Sequence, residues 1–223
     1  MSDAAWARLG HQPLTLTGSW IRLESYEDRH YNALKRAADD PRIWEWMPKS
    51  YAGDNFGELI AAMKAGRGLG HQSSFTAHRI SDNAVIGLTE YLNIRPADRS
   101  VEIGSWFIPD EWSGPANPDS KLLLLRYAFE ELRCHRVQFR TDRLNERSRR
   151  AILKLGALEE GILRHEKSVQ GLRLRDTCIF SILAGEWPVV RERLQDRLGT
   201  IKGEVVRRDR HLEQGSFQNR NVG

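Results

Sequence analysis

The succession of hydrophobic patterns along this chain predicts an α+β fold, a mixed, mostly antiparallel central sheet flanked by helices. Three observations predict it. Strand-type alternation fills residues 74 to 108, two capped helices bracket a strand between 117 and 156, and two more strand patterns follow before residue 184. Strand runs interrupted by one strand–helix–strand–helix passage call for a mixed sheet.

The elements follow in order. Residues 1–13 read as a flexible arm, and 14–198 as a single domain. Leu14, Leu16, Trp20-Ile21 and Leu23 alternate as a first strand pair, broken at Gly18-Ser19. Asp28 to Ala38 carries Tyr31, Leu34 and Ala37-Ala38 at helical spacing, and Asp40-Pro41 opens a short helical turn through Trp44, Trp46 and Met47. Phe56 to Lys64 repeats the period, and Gly66 through Gly70 ends it. A meander follows: Ser74 to Arg79, a turn at Ser81-Asp82-Asn83, a long strand from Ala84 to Ile94, a turn at Pro96-Ala97-Asp98, then Val101 to Ile108. Asn117-Pro118-Asp119-Ser120 reads as a helix start, with Asn as cap, Pro in the first turn and Asp at the positive dipole end. That helix runs to about Leu132. Strand Arg136 to Thr141 follows, then a helix opened by Asn145 and stopped at Gly156. Leu158 to Val169 and Leu174 to Leu183 form a hairpin across Gln170-Gly171. A polar helix from Val189 to Leu198 comes next, and 199–223 read as a polar, disordered tail.

Composition excludes several function classes. The chain is 40% hydrophobic and 29% charged, with seven Trp, seven Phe and five Tyr, too rich in aromatics for disorder. Its longest apolar runs, Leu59 to Met63 and Leu122 to Leu125, are far short of the roughly 20 residues that span a bilayer. No signal peptide is expected at Met1 to Ala5. Cys134 and Cys178 form no Cys-x-x-Cys pair, which fits a cytoplasmic location, and seven scattered His give no metal spacing, so no metal is expected. The net charge of +4 is divided between residues 201–223 and the rest, too thin for a nucleic-acid surface.

Three segments carry the chemistry. Val101 to Pro109 is a strand that ends abruptly, and Trp112 to Lys121 is a small-residue loop feeding a helix N-terminus, a natural anion site. Thr141 to Ser148 sets Asn145 and Ser148 at the next helix start, facing the same cleft if the two strand–helix units run parallel. Each segment alone is ordinary: a capped helix, a surface serine, a strand glutamate paired to some arginine. Arg140, Arg143, Arg147, Arg149 and Arg150 form either a solvated face or a phosphate contact.

In order, these segments resemble the GNAT superfamily of acyl-CoA N-acyltransferases, and in detail its RimJ/RimL-like ribosomal-protein branch. The strand Glu102-Ile103-Gly104-x-Trp106, the loop and Leu-rich helix, Asn145-x-x-Ser148 with Gly156, Glu160-Gly161-x-Leu163-Arg164, and Arg175-Asp176 with Phe180-Ser181 carry the resemblance, as do Ile21-Arg22-Leu23 and Trp44 to Pro48. One departure stands in the loop. The family's Arg/Gln-x-x-Gly-x-Gly/Ala falls on Asp110, Ser113 and Pro115, or one residue later on Glu111, Gly114 and Ala116. Pro115 has no N–H in either register.

The resemblance implies a βαβα passage that binds acetyl-CoA as cosubstrate through Trp106, Phe107, Ile108, Ser113, Gly114, Ala116, Asn117, Asp119, Ser120, Lys121, Asn145 and Ser148. It implies Ser148 and Glu102 as catalytic residues, and Trp44, Trp46, Met47, Glu90 and Tyr91 as acceptor-site residues. The implied reaction is direct attack of an amine, protein N-terminal or small-molecule, on the thioester in a ternary complex. Glu102, Glu90 and Glu166 remain alternatives for the base, and a non-catalytic acyl-CoA-binding protein is the rival reading. The partner expected is the amine substrate, with neither membrane nor nucleic acid, and a homodimer is left open.

Overall fold

The computed structural model describes residues 2–9 and 11–218, with side chains over 4–9 and 11–203. Helix α1 (Ser2–Arg8) occupies the segment expected to be a flexible arm. Ala5, Trp6 and Leu9 are buried in the main core, and a buried indole is enough apolar surface to order so short a helix. Strands β1 (Thr15–Thr17) and β2 (Ile21–Ser25) form a hairpin, and the turn Asp28–His30 leads into α2 (Tyr31–Ala37). Helix α3 (Phe56–Gly68) runs past the expected stop at Lys64. The meander follows as β3 (Ser73–Arg79), β4 (Val85–Arg95) and β5 (Ser100–Phe107).

Helix α4 (Ala116–Arg126) begins earlier than the sequence suggests: Pro115 holds the cap position at φ −74°, and Asn117 sits inside the first turn. Proline's fixed φ suits helix entry, so the chain turns helical as soon as the loop allows. Asp119 does not serve the helix dipole. Its buried carboxylate accepts the N–H groups of Trp20 (2.7 Å) and Ile21 (3.0 Å), tying α4 to the β1–β2 turn. A Cβ on Gly18 would stand 2.3 Å from that carboxylate, which is why the turn needs glycine.

After the wide helical turn Tyr127–Glu131, β6 (Arg136–Asp142) leads to α5 (Glu146–Leu155), the hairpin of β7 (Leu158–Val169) and β8 (Arg173–Leu183), and α6 (Trp187–Gln218). Asn145 caps α5 as expected, its Oδ1 accepting from the Ser148 N–H at 3.0 Å, and Gly156 ends the helix at φ +97°. The polar tail expected from residue 199 is instead continuous helix through Gln218, and 219–223 lie outside the described residues. Val190, Leu194 and Leu198, four residues apart, seat α6 on the core.

The eight strands form one sheet in the order β1-β2-β3-β4-β5-β6-β8-β7. One face packs against α4 and α6 through Leu23, Phe75, Tyr91 and Ile103, and the other packs against α2 and α3 through Leu88 and Trp106. All neighbours are antiparallel except β5 and β6. That parallel pair spans only Ser100–Glu102 against Arg136–Gln138. Beyond it, β5 stays with β4 as far as Phe107, and β6 stays with β8 as far as Asp142. Each strand follows its outer partner and the twist of its own half, so the sheet forks. No helix of the described residues is long and apolar enough to cross a membrane.

Candidate active site

The fork opens a cavity of about 250 Å³ between the free halves of β5 and β6. Ile103 to Phe107 line one wall, Phe139 to Asp142 the other, and the starts of α4 and α5 stand at its mouth. Thr89 Oγ1 donates to the Gly104 carbonyl from the β4 side, whereas the Phe107 carbonyl turns away from β4 to accept the Trp112 indole N–H at 3.0 Å. Backbone polarity alternates along a strand, so beyond the last rung Ser105 and Phe107 direct their N–H groups to the unpaired edge.

The mouth has cationic character. Arg147 lays its guanidinium 3.2 Å over the Trp112 ring, joining α5 to the loop before α4. Burial lowers the pKa values of Arg147 and Arg175, and among the described residues neither forms an ion pair. Arg140 is held by Glu166 at 2.7 Å. The acidic groups of the wall are spent: Glu111 pairs with Arg79 at 2.8 Å and Asp142 with Arg173.

The α4 entry carries no side-chain cap. Pro118 has no N–H and the Asp119 N–H already donates to the Pro115 carbonyl, so Ala116 and Asn117 hold the open donors of the first turn. Ser113 takes the left-handed conformation at φ +69°, and the Gly114 N–H folds back onto the Glu111 carbonyl. A diphosphate fits this terminus, with one donor fewer than glycine-rich loops provide. Two buried donors of residues that line the wall, Trp106 Nε1 and Arg175 Nε, have no hydrogen-bond partner among the described residues.

Of the residues singled out from sequence, Trp106, Phe107, Ser113, Asn117, Lys121, Asn145, Ser148, Trp46 and Met47 line the cleft. The others stand elsewhere. Glu102 lies in the paired part of β5, below the fork, where it accepts from Asn93 Nδ2 (2.8 Å) and lines a separate cavity. Glu90 faces the α2–α3 side, accepting from Ser74 Oγ and Gln72 Nε2, and burial raises its pKa. Tyr91 points into the opposite core, where its hydroxyl donates to the Leu124 carbonyl. Trp44 is core as well, its indole N–H donating to the Ala38 carbonyl. Ile108 gives its N–H to Ile86 on β4. Gly114 in the preceding loop, and Ala116, Asp119 and Ser120, whose side chains α4 buries, do not line the cavity; Ala116 offers only its backbone N–H there, and the Ser120 hydroxyl donates to the Asn117 carbonyl. Glu166, the third alternative for the base, also stands outside, bound to Arg140 and Thr177.

Sequence reasoning missed Ser105, Trp112 and Arg175 as cleft residues. Trp112 was in view, since a large aromatic in a polar small-residue loop has to cover something. A second cluster, Glu24, His30 and His78, has ligand-type atoms within 4.8 Å of one another. It draws on three separate elements, so no spacing in sequence announces it. The His30 Nδ1 accepts the Glu27 N–H, which leaves the neutral ring's proton on Nε2, 3.4 Å from Glu24. In that tautomer His30 Nε2 is an N–H, and neither it nor either ring nitrogen of His78 has a hydrogen-bond partner among the described residues.

A family model described as the acetyltransferase (GNAT) domain matches residues 21–158. The Bacillus subtilis strain 168 protein YdaF, a ribosomal N-acetyltransferase by name, is 35% identical over 107 residues, 48% of this chain; the match spans 57% of YdaF's own length. A solved structure from T. thermophilus, an acetyltransferase by name, is 33% identical with a TM-score of 0.74, covering 83% of this chain and 97% of that one. RimJ of Mycobacterium smegmatis, solved with CoA-disulfide, shares the fold at 23% identity and a TM-score of 0.72, over 83% of this chain and 95% of its own. With the domain match spanning most of the sheet, this chain belongs to the GNAT acetyltransferase family, and its sequence similarity lies on the ribosomal N-acetyltransferase side.

Proposed function

We propose that this chain moves the acetyl group of acetyl-CoA to a primary amine by direct attack in a ternary complex. One observation carries the reading: the forked β5–β6 cleft ends at an uncapped helix start and is lined by Arg147 and Arg175, which form no ion pair among the described residues. The chemistry supplied by the cosubstrate is an activated thioester. The residues' task is to hold it and the amine in near-attack geometry. Arg147 and the N–H groups of Ala116 and Asn117 suit the diphosphate, and the free-edge N–H groups of β5 suit the thioester carbonyl as charge develops.

Ser148 stands at the third position of α5, its N–H engaged by Asn145 and its side chain lining the cleft. We assign it the hydrogen bond to the departing CoA sulfur. Ile43, Trp46 and Met47 offer the acceptor an apolar wall with Arg175 beside it. A protein N-terminal α-amine, with a pKa near 7.7–8.0, needs little deprotonation. With Glu102, Glu90 and Glu166 all outside the cleft, that acceptor is the class we favour, and the ribosomal N-acetyltransferase name of YdaF supports a protein substrate. The exposed outer strand β7, with Leu158, Ile162 and Leu163 uncovered, supports a homodimer, which sedimentation tests.

The test is a melt followed by an acceptor panel. CoA at 100 times its dissociation constant should add about 2.7 kcal/mol of stability. Turnover with ribosomal-protein N-terminal peptides should exceed turnover with polyamines. Stabilisation without turnover on any amine would instead support the non-catalytic reading. Ser148→Ala should lower kcat about ten- to a hundredfold with CoA affinity nearly unchanged; an unchanged kcat would reduce this serine to a helix residue.

A further inference from the structure

Lys121 is a buried cation without an anion. It is 5% exposed and lies on the inner face of α4, and among the described residues it forms no ion pair. Its one hydrogen-bond partner is Ser105 Oγ, 2.7 Å from Nζ. Burial alone lowers the amine's pKa from the ordinary 10.5 to about 7, so much of it is neutral at physiological pH. A neutral amine accepts the hydroxyl proton that an ammonium cannot. Ser105 is the middle residue of the free segment of β5, is partly exposed and lines the cleft. Its own N–H and that of Phe107 point along the same open edge, where they can serve a tetrahedral oxyanion. Hydroxyl, neutral lysine and edge N–H donors are the three parts of a serine–lysine acyl-transfer centre. Direct amine attack uses neither side chain.

We propose that Ser105 and Lys121 form a nucleophile–base pair that gives the cleft a second, amine-independent activity, hydrolysis of the bound acyl-CoA thioester through an acyl-serine. It rests on the reading that the fork holds acyl-CoA. As Ser105 Oγ bonds to the thioester carbonyl carbon, its proton passes to Lys121 Nζ. The carbon–sulfur bond then breaks, and the departing thiolate takes that proton from Lys121, giving CoA thiol and O-acetyl-Ser105. Water attacks the ester next; Lys121 accepts its proton and returns it to Ser105 Oγ as acetic acid leaves.

The experiment incubates the full chain with radiolabelled acetyl-CoA and no amine, following thiol release, label on the acid-quenched protein and its position by peptide mass spectrometry. The expected result is steady thiol release with label on the peptide that holds Ser105. Ser105→Ala and Lys121→Met should each lower that release by about tenfold or more. Both variants should melt in one cooperative transition, which shows that they fold. Release unchanged in Ser105→Ala, label on Lys121 instead of Ser105, or neither label nor release from a protein that CoA stabilises would overturn the proposal and leave the acyl-CoA reading standing. If CoA stabilises neither the wild type nor the variants, the acyl-CoA reading falls, and this proposal with it.

Discussion

Helices α4 and α5 enter the same cleft from opposite strands, yet their first turns are built in opposite ways. The α5 turn is closed on itself: Asn145 accepts the Ser148 N–H, and Arg147 is anchored on Trp112. The α4 turn is left open at its tip, with proline at the cap and Ser113 in a left-handed conformation before it. Its order comes from the side, through the Asp119 carboxylate holding the β1–β2 turn. A helix start that keeps its donors for a ligand must be stabilised by something other than a cap, because capping consumes those donors.

Breaking the lateral tie should therefore have the largest effect. Asp119→Ala orphans two backbone N–H groups, one of them buried, and should cost about 3–5 kcal/mol in denaturant unfolding. A loss below about 1 kcal/mol would mean that the α4 entry is held by other contacts. The burden on α4 shows next, in Lys121. Its folded-state pKa, about 7, lies below the unfolded value, so the unfolded chain holds the extra proton between about pH 7 and 10.5. Stability should rise with pH across that window. Lys121→Met should flatten that rise and stabilise the protein by up to about 4 kcal/mol at pH 7. Equal slopes for the two proteins would show that the amine stays charged in the fold.

Two smaller changes sharpen the contrast. Asn145→Ala uncaps α5 and should cost about 1 kcal/mol in thermal unfolding. At α4 the sign reverses. Ser113→Gly relieves a left-handed serine and should raise stability by about 0.5 kcal/mol. It should also tighten CoA a few-fold by calorimetry; weaker binding would mean that the serine hydroxyl itself contacts the ligand.

Most of the fold was readable because its signals are local. The strand alternation, Asn145 with its Ser148 partner and the left-handed Gly156 all appear within a few residues of one another. What stayed hidden depends on distance through space. The tie between Asp119 and Trp20 spans 99 residues, so a helix-dipole role was the natural reading of that aspartate. Glu102 sits on the right strand, but where the fork begins is set by the twist of the two sheet halves. The short amino-terminal helix was invisible because Trp6 orders it only through a core assembled from later segments. At the site, the wall residues Trp106 and Phe107 came with the strand motif. Ser105 and Arg175 did not, since which side chains meet across a gap has no signature in spacing.

The three-residue seam between β5 and β6 also bears on how the molecule folds and breathes. Strands β1 to β5 arise from residues 15–107, and β6 to β8 from 136–183, so each half can zip up from neighbouring sequence. The parallel rungs must wait for the α4 crossover, a long loop to close, and such contacts form late. With so few rungs, the seam is a narrow joint in the backbone pairing, beneath which one hydrophobic core runs continuously from half to half. A molecule lying in the fork and touching both edges supplies cross-links that the backbone omits. Occupancy should then spread amide-exchange protection from the seam outward along both strands.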